Sequence, residues 1–476
     1  MADLLRTLQR YLPQAVCGLL VFVLVSFYLP QLGVGLLADY DEYYTYERTQ
    51  GIVDRGDLWT LYSNNLPTFR KPPLQYWAGA GLLQLGVGPS FALRLPSFVA
   101  AIGTLILTGV LAGLLSDRRG VAAALAMLAL SASGLFWESG LTAMLDSGAA
   151  FFALAAVVCA ILTLRDARYW WVLALVIGLG ALQKAPIGLA LVVAALPFLR
   201  LQSGGRHIAG AAILVVLLVA SWPALQIALH GQGYLRSAIV NEMVARFQPV
   251  ADGTGGRLAQ WVGWLWDDLG PLWPIALLAT LALPTGARRR EGFIVVASCA
   301  LILLAMTLAG GRLFERYLVI LLPLIAAGLG AMAARLPMPV AVLAAAVGLW
   351  LWGGAAFRPV GEEAPAFVDQ LPLMQGFRAA VGPDDTLLFC VWDREDRIIH
   401  PGALTVYASA GKPFFNIWYP DSLAADIEGG VIEPPYRGLC SDAAFGQFTA
   451  LYFGADVQQA DAGWVHWRSD GLTPRQ

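Results

Sequence analysis

Charge is scarce in this sequence. Only 13% of its 476 residues are Asp, Glu, Lys or Arg, against about 25% in a soluble globular chain, and that deficit excludes a soluble multi-domain protein. The formal net charge is −2 and no long basic block occurs, which excludes a polycation built for nucleic acid. There are four histidines, His207, His230, His400 and His466, with no two close in sequence, so no dedicated zinc site is expected. A Walker A loop, an HExxH pair and paired CxxC motifs are all missing. Cysteine is limited to five residues. Cys17, Cys159 and Cys299 fall within apolar runs, whereas Cys390 and Cys440 lie near the C-terminus. Those two would pair in an oxidising compartment, or stand as two unrelated buried thiols. No internal repeat of fixed period is visible.

Apolar residues fill the space that charge leaves. They make up 58% of the chain, with a mean hydropathy of +0.63, and they are gathered into runs. A helix needs about 20 such residues to cross the hydrocarbon. The runs place spans at residues 12–33, 91–115, 121–137, 147–164, 169–183, 186–200, 208–228, 261–284, 292–309, 317–334 and 338–357. The expected fold is a polytopic α-helical membrane protein of about eleven transmembrane helices. The first run, Val16 to Leu29, passes into Pro30 and an acidic loop without a small-residue cleavage site, so it reads as a membrane helix and not a cleaved signal. The 16 Trp and 50 Gly suit interfacial anchors and close helix contacts.

Lys and Arg set the orientation. Arg6 and Arg10 precede the first span, and alternate connections carry Arg118-Arg119, Arg165 with Arg168, Arg200 with Arg206, Arg288 to Arg290, and Arg335. That side is placed in the cytoplasm, with the N-terminus. The opposite side receives the loops 34–90, 137–147, 229–260 and 310–316 and everything after Phe357. Residues 1–357 thus form a membrane domain. Residues 358–476, of ordinary soluble composition, form a small α/β domain outside. Short strands are expected at Thr386 to Trp392, Leu404 to Tyr407 and Phe414 to Trp418.

Chemistry is sought in the outer loops. Asp39, Asp41 and Glu42 emerge directly from a membrane helix, followed by Tyr43. A carboxylate against a low-dielectric wall can serve as a general base, though Asp at a helix boundary often merely caps. Arg70-Lys71-Pro72-Pro73 sets two cations on a stiff extended backbone at headgroup depth, suited to a lipid phosphate or to snorkelling. Asp146, with Glu138 nearby, and Lys184 stand at the outer ends of spans, where lipid exposure is costly. His230 to Gln260 contains Glu242 and Arg246 beside a Gly-rich turn and would serve as a lid. Arg312, Arg316 and Tyr317 lie at the mouth of a late span. Cations from three loops on one face suggest an anionic ligand.

These residues, in this order and on this side, resemble the GT-C superfamily of glycosyltransferases, in the branch of the lipid A aminoarabinose transferases and protein O-mannosyltransferases. The resemblance runs through Asp41-Glu42, Gly56 to Trp59, Lys71-Pro72-Pro73-Leu74-Gln75-Tyr76-Trp77, Arg94-Leu95-Pro96-Ser97, Met144-Leu145-Asp146-Ser147, Lys184-Ala185-Pro186, Asn241-Glu242 with Arg246-Phe247, and Arg316-Tyr317 to Pro323. It implies a polyprenyl-phosphate sugar donor held by Lys71, with Arg70, Arg316 and Lys184 as further phosphate contacts. Asp41 would be the base of an inverting displacement, with Glu42 and Asp146 positioning acceptor or sugar. Tyr43, Tyr76, Glu242, Arg246 and Tyr317 would line the substrate loops. The implied setting is a bacterial inner membrane, with a lipid or glycan acceptor such as lipid A, or a protein hydroxyl.

Two departures stand out. Many relatives carry Glu before the Lys-Pro, and some use it with a His of the long loop to hold a metal. Here Arg70 occupies that position and the loop reads Asn241-Glu242-Met243, so no divalent metal is expected. A transporter or flippase of lipid-linked sugars would want charges near the bilayer midplane and repeated halves. A silent scaffold would have no use for Asp41, Lys71 and Asp146 together.

Overall fold

The computed structural model describes residues 2–34, 37, 40–63, 66–199, 205–238, 253–308, 314–337, 339–341, 343, 346, 365–390, 408–409, 412, 414–417, 420–461 and 463–475. Two compact units emerge. The first comprises Met1–Gln31, Phe69–Gln75 and Arg94–Pro359; the second comprises Leu32–Thr68, Tyr76–Leu93 and Val360–Gln476.

In chain order the helices are α1 (Ala2–Tyr28), α2 (Tyr40–Arg55), α3 (Leu74–Gln84), α4 (Pro89–Leu115), α5 (Arg119–Ser131), α6 (Gly134–Leu141), α7 (Leu145–Thr163), α8 (Tyr169–Gln183), α9 (Ile187–Ala195), α10 (Gly205–His230), α11 (Gly253–Leu269), α12 (Leu272–Leu281), α13 (Arg289–Leu308) and α14 (Leu322–Ala333). Among the described residues, 5 helices are long and apolar enough to cross a membrane, or up to 7 if each bent pair is one span. Shorter apolar helices occupy Tyr169–Gln183, Ile187–Phe198 and Leu322–Ala333. This is a membrane protein. On α10, Ile213 and Val216 are 62% and 65% exposed, as side chains facing lipid would be, whereas α7 is buried along most of its length.

Two of the expected spans are broken. In place of one helix over 121–137, α5 and α6 meet at 76°. The start of α6 is capped twice. Ser133 accepts from the Phe136 N–H at 3.0 Å, and Asp268 accepts from the Ser133 hydroxyl at 2.6 Å and the Leu135 N–H at 2.9 Å. Those partners satisfy donors that a helix start leaves open. In place of one helix over 261–284, α11 and α12 meet at 110°. Gly270 adopts a φ of +52°, a left-handed conformation that glycine takes without penalty, and Pro271 follows it. Helix α11 is amphipathic, with Trp261, Leu265 and Leu269 buried at four-residue spacing. Most of the expected span 338–357 and the strand at 404–407 lie outside the described residues.

In the second unit, α2 is followed by a hairpin of β1 (Leu61–Ser63) and β2 (Leu66–Thr68). The C-terminal part adds α15 (Pro365–Ala380), α16 (Pro420–Glu428) and α17 (Asp442–Leu451). Its strands are β3 (Thr386–Cys390), β4 (Phe414–Ile417), β5 (Tyr436–Ser441), β6 (Tyr452–Phe453), β7 (Asp456–Asp461), β8 (Trp464–Ser469) and β9 (Thr473–Pro474). Five of them form a sheet of order β4-β3-β5-β8-β7. The first three are mutually parallel, whereas β8 runs antiparallel to both of its neighbours, β5 and β7. Phe448 of α17 stacks on Tyr452 and Trp467, centroids 5.1 and 4.8 Å away. Cys390 and Cys440, register partners on β3 and β5, are joined as a disulfide in this core.

Candidate active site

In the membrane unit, charge converges on the first turn of α7. The chain enters that helix through Met144 in an extended conformation, with no side-chain cap. Asp146 follows, its side chain 6% exposed, at the helix end where a carboxylate is favoured. Lys184 terminates α8 and donates to Asp146 Oδ1 at 2.5 Å. Arg316, in the 3-10 segment Glu315–Ile320, brings Nε to 3.8 Å from Oδ2. Two aromatic rings complete the group: Lys184 Nζ lies 5.0 Å from the centroid of Tyr317, and the Arg316 guanidinium 4.4 Å from that of Phe314. Asp146 thus faces two cations, Lys184 and Arg316, and cations gathered in this way suit an anionic headgroup.

Beside it lies a polar lattice of Gln75, Ser97, Ser147 and Gln183, side chains to which the sequence alone assigns no role. Gln183 Nε2 donates to Gln75 Oε1 at 2.7 Å and to the Leu145 carbonyl at 3.3 Å. Gln75 Nε2 donates to Ser97 Oγ at 3.0 Å, and Ser97 Oγ donates to the Met144 carbonyl at 2.8 Å. Ser147 Oγ donates to the Ser97 carbonyl at 2.8 Å. All four side chains are buried. The available signal was glutamine within otherwise apolar helix, which is costly unless bonded.

Arg70 is exposed and Lys71 half-buried in the same unit. The preceding Phe69 packs on the rings of His230 and Tyr234, 4.9 and 5.6 Å away, fixing this segment against the end of α10. Glu138 is exposed on α6. Glu242, Arg246, Arg312 and Asp39 lie outside the described residues. Among the described residues, no three His, Cys, Asp or Glu side chains converge as a metal-binding group.

In the second unit, Asp41, Glu42 and Tyr43 occupy the first turn of α2. Glu42 is buried; the side chains of Asp41 and Tyr43 are not among those described. Six residues after Glu42, Arg48 is buried and donates from Nη1 to the Tyr76 hydroxyl at 2.9 Å, with Tyr44 and Tyr76 flanking it at 5.1 and 5.7 Å. Burial alone would lower the Arg48 pKa, but the Tyr76 phenol, Glu47 and Tyr44 outweigh it and raise it. Tyr76, expected to line the substrate loops, is fully buried. Its hydroxyl is taken by Arg48, so it braces α2 against α3. Glu47 accepts from Ser63 at 2.6 Å, and Trp77 donates to the Leu58 carbonyl at 2.7 Å. The Gly56 to Trp59 segment is thereby tied to the helix that follows the Lys-Pro-Pro.

This arrangement can be set beside known proteins. Residues 15–202 match the sequence profile of the family described as dolichyl-phosphate-mannose-protein mannosyltransferase. No curated protein sequence matches the chain. Solved structures do. The ArnT of Cupriavidus metallidurans, in its crystal structure bound to undecaprenyl phosphate, superposes with a TM-score of 0.72 at 16% identity, over 95% of this chain and 97% of that one. The chain has the GT-C glycosyltransferase fold. The oligosaccharyltransferase of Archaeoglobus fulgidus shares this GT-C fold with a TM-score of 0.57 at 11% identity, over 98% of this chain and 75% of that one. The mycobacterial arabinofuranosyltransferase AftD gives 0.55 at 14% identity, over 98% of this chain and 40% of that one.

Proposed function

We propose that this chain is a glycosyltransferase that moves a sugar from a polyprenyl-phosphate donor to a hydroxyl or phosphate of an acceptor: lipid A, another glycan or a protein. The observation that carries the reading is the pairing of Lys184 and Arg316 around Asp146, where α8 ends and α7 begins. Fixed cations at such helix ends are where a membrane protein binds an anionic group. The GT-C neighbours support a lipid phosphate as the class of ligand. One is described with undecaprenyl phosphate, and an archaeal oligosaccharyltransferase with dolichol-phosphate.

In this reading Lys71, Arg70, Lys184 and Arg316 hold the donor phosphate, with Tyr317 beside Lys184. As the acceptor oxygen attacks the anomeric carbon opposite the phosphate, the glycosidic C–O bond breaks and negative charge grows on the departing phosphate. The cations take up that charge, so the step needs no divalent metal. That proposal rests on Arg70 standing where many relatives carry Glu. Asp41 accepts the proton of an attacking hydroxyl, and attack from the opposite face inverts the anomeric centre. Glu42 orients the acceptor, and Asp146 holds the cations that meet the phosphate. Glu242 and Arg246 belong to a loop that would close over bound substrate.

The Arg-bearing connections favour a cytoplasmic N-terminus and reaction on the periplasmic side of a bacterial inner membrane. The bonded Cys390–Cys440 pair suits a C-terminal α/β domain in an oxidising compartment. The test is transfer by purified protein in lipid, supplied with a panel of polyprenyl-phosphate sugars and an outer-membrane lipid extract. Transfer that is lost in Asp41→Asn and Lys71→Ala and unaffected by EDTA is the expected result. Transfer that survives Asp41→Asn would move the base elsewhere, and dependence on added metal would overturn the metal-free step.

A further inference from the structure

The buried lattice reaches the chain beside Asp146 and Lys184 and close after Lys71. Gln183 immediately precedes Lys184. The Met144 and Leu145 carbonyls and Ser147 flank Asp146. Gln75, in the first turn of α3, lies four residues after Lys71. Five hydrogen bonds link these points across α3, α4, α7 and α8. Ser97 serves as the junction, accepting from Gln75 and donating to Met144. Gly148 makes room for it: a Cβ there would fall 2.3 Å from Gln183 Nε2, too close for the amide to keep its place.

We infer that the Gln75–Gln183 amide pair, with Ser97 and Ser147, is the positioning element that holds Lys71, Asp146 and Lys184 in one register for a phosphate; the inference rests on the donor site proposed above. The hydrogen bonds of the two amides go to one another, to Ser97 and to the Leu145 carbonyl. They fix the backbone from which the three charged side chains project, and a satisfied buried network has the rigidity to do so. A purely structural network would set stability alone, whereas a positioning network also sets the affinity of the cations for phosphate.

The test uses the full chain in lipid nanodiscs and a short-chain polyprenyl phosphate, without sugar, as the probe. Gln75→Leu/Gln183→Leu removes both amides together, which avoids leaving one partner buried and unsatisfied. The pair is expected to keep its unfolding midpoint but bind the probe about tenfold or more weakly. Combined with Lys184→Ala, it is expected to add little to the loss caused by Lys184→Ala alone, because it acts through that residue. Gly148→Ala, which displaces the Gln183 amide without altering either glutamine, is expected to weaken binding in the same way and decides the matter if the double variant does not fold. Unchanged affinity in the folded variants, or a loss that adds fully to that of Lys184→Ala, would overturn the positioning role. Wild-type protein with no affinity for the probe would sink the donor reading itself, and this inference with it.

Discussion

Lys184 and Asp146, 38 residues apart in sequence, meet in a 2.5 Å charge-assisted hydrogen bond that joins the end of α8 to the start of α7. Arg316 stands on the other carboxylate oxygen. With both oxygens facing cations, Asp146 serves as their holder. In Asp146→Asn the two cations lose their shared counter-charge and their aim. The expected result is a fall in transfer of about 100-fold, equivalent to about 2.7 kcal/mol of barrier. The unfolding midpoint should fall too, because removing one partner of a buried pair is costly. Full activity in Asp146→Asn would show that Lys184 and Arg316 are held by something else.

Arg48 and Tyr76 give a second expectation. Arg48 Nε finds no hydrogen-bond partner among the described residues, so the Tyr76 hydroxyl carries much of what holds this buried cation. Tyr76→Phe should destabilise the protein by about 1–3 kcal/mol, the cost of one more unsatisfied buried donor. Replacing both, as Arg48→Met/Tyr76→Phe, should recover most of that loss. Thermal unfolding of the four proteins completes the cycle, and additive losses would mean that the two side chains are not coupled.

Much of this arrangement was legible in the sequence, for reasons that differ by element. Helix α8 matches its apolar run of 169–183 because nothing within that run breaks it. The breaks at Ser133 and Gly270-Pro271 were hidden, since hydropathy averaged over about 20 residues passes over a two-residue cap. The local signals, an N-cap serine and a Gly-Pro pair, were nevertheless present. Asp146 and Lys184 stood out as charges at the ends of apolar spans, but their pairing joins two helices and has no trace in a single sequence. In the C-terminal part, β3 and β4 were visible from aromatic and apolar runs. Strand β7 was not, because its residues Asp456–Asp461 are all exposed and present no apolar face.

The C-terminal sheet carries an acid-sensitive contact. Buried His466 receives an N–H of Arg437 on Nε2 at 3.0 Å, and Arg437 in turn binds Asp385 at 2.6 Å. Burial and the neighbouring Arg437 charge, against a smaller opposing effect of Asp385, push the His466 pKa down to about 4 from 6.5. Between pH 4 and 6.5 the unfolded chain therefore binds a proton that the folded one refuses. Stability is fully present above 6.5 and is lost as pH falls towards 4, by up to about 3 kcal/mol. Asp385, held below its ordinary value by Arg437 and the Gly382 N–H against the cost of burial, extends the loss to lower pH. Limited proteolysis of the C-terminal part against pH should show this slope. His466→Gln, which can still accept from Arg437 but takes up no proton, should flatten it; an unchanged slope would place the sensitivity elsewhere.

The Cys390–Cys440 bond spans 50 residues, and closing a loop of that size stabilises a fold by about 2–4 kcal/mol. Maleimide labelling of unfolded protein should count three thiols without reductant and five with it, since Cys17, Cys159 and Cys299 are free. Protein made in a strain that cannot form periplasmic disulfides should show all five without reductant. Five thiols in protein from an oxidising periplasm would contradict an outer location for the C-terminal part.

Asp268 ties α11 to the break between α5 and α6. Its carboxylate sits at the start of α6, where two donors from residues 135 and 133 positions away converge on it. Helix α6 leads through residues 142–144 into α7 and Asp146, so the angle of that bend bears on where the cation cluster stands. In Asp268→Ala the Leu135 N–H loses its partner, and the loss of such a cap costs about 1–2 kcal/mol. Asp268→Asn keeps one good acceptor and should fall between it and the wild type in unfolding midpoint. The KM for the donor should rise in the same order, because a loosened bend moves Asp146 without removing it. Equal midpoints for the Asn and Ala variants would mean that Ser133, through its own bond to the Phe136 N–H, holds the bend without help from α11.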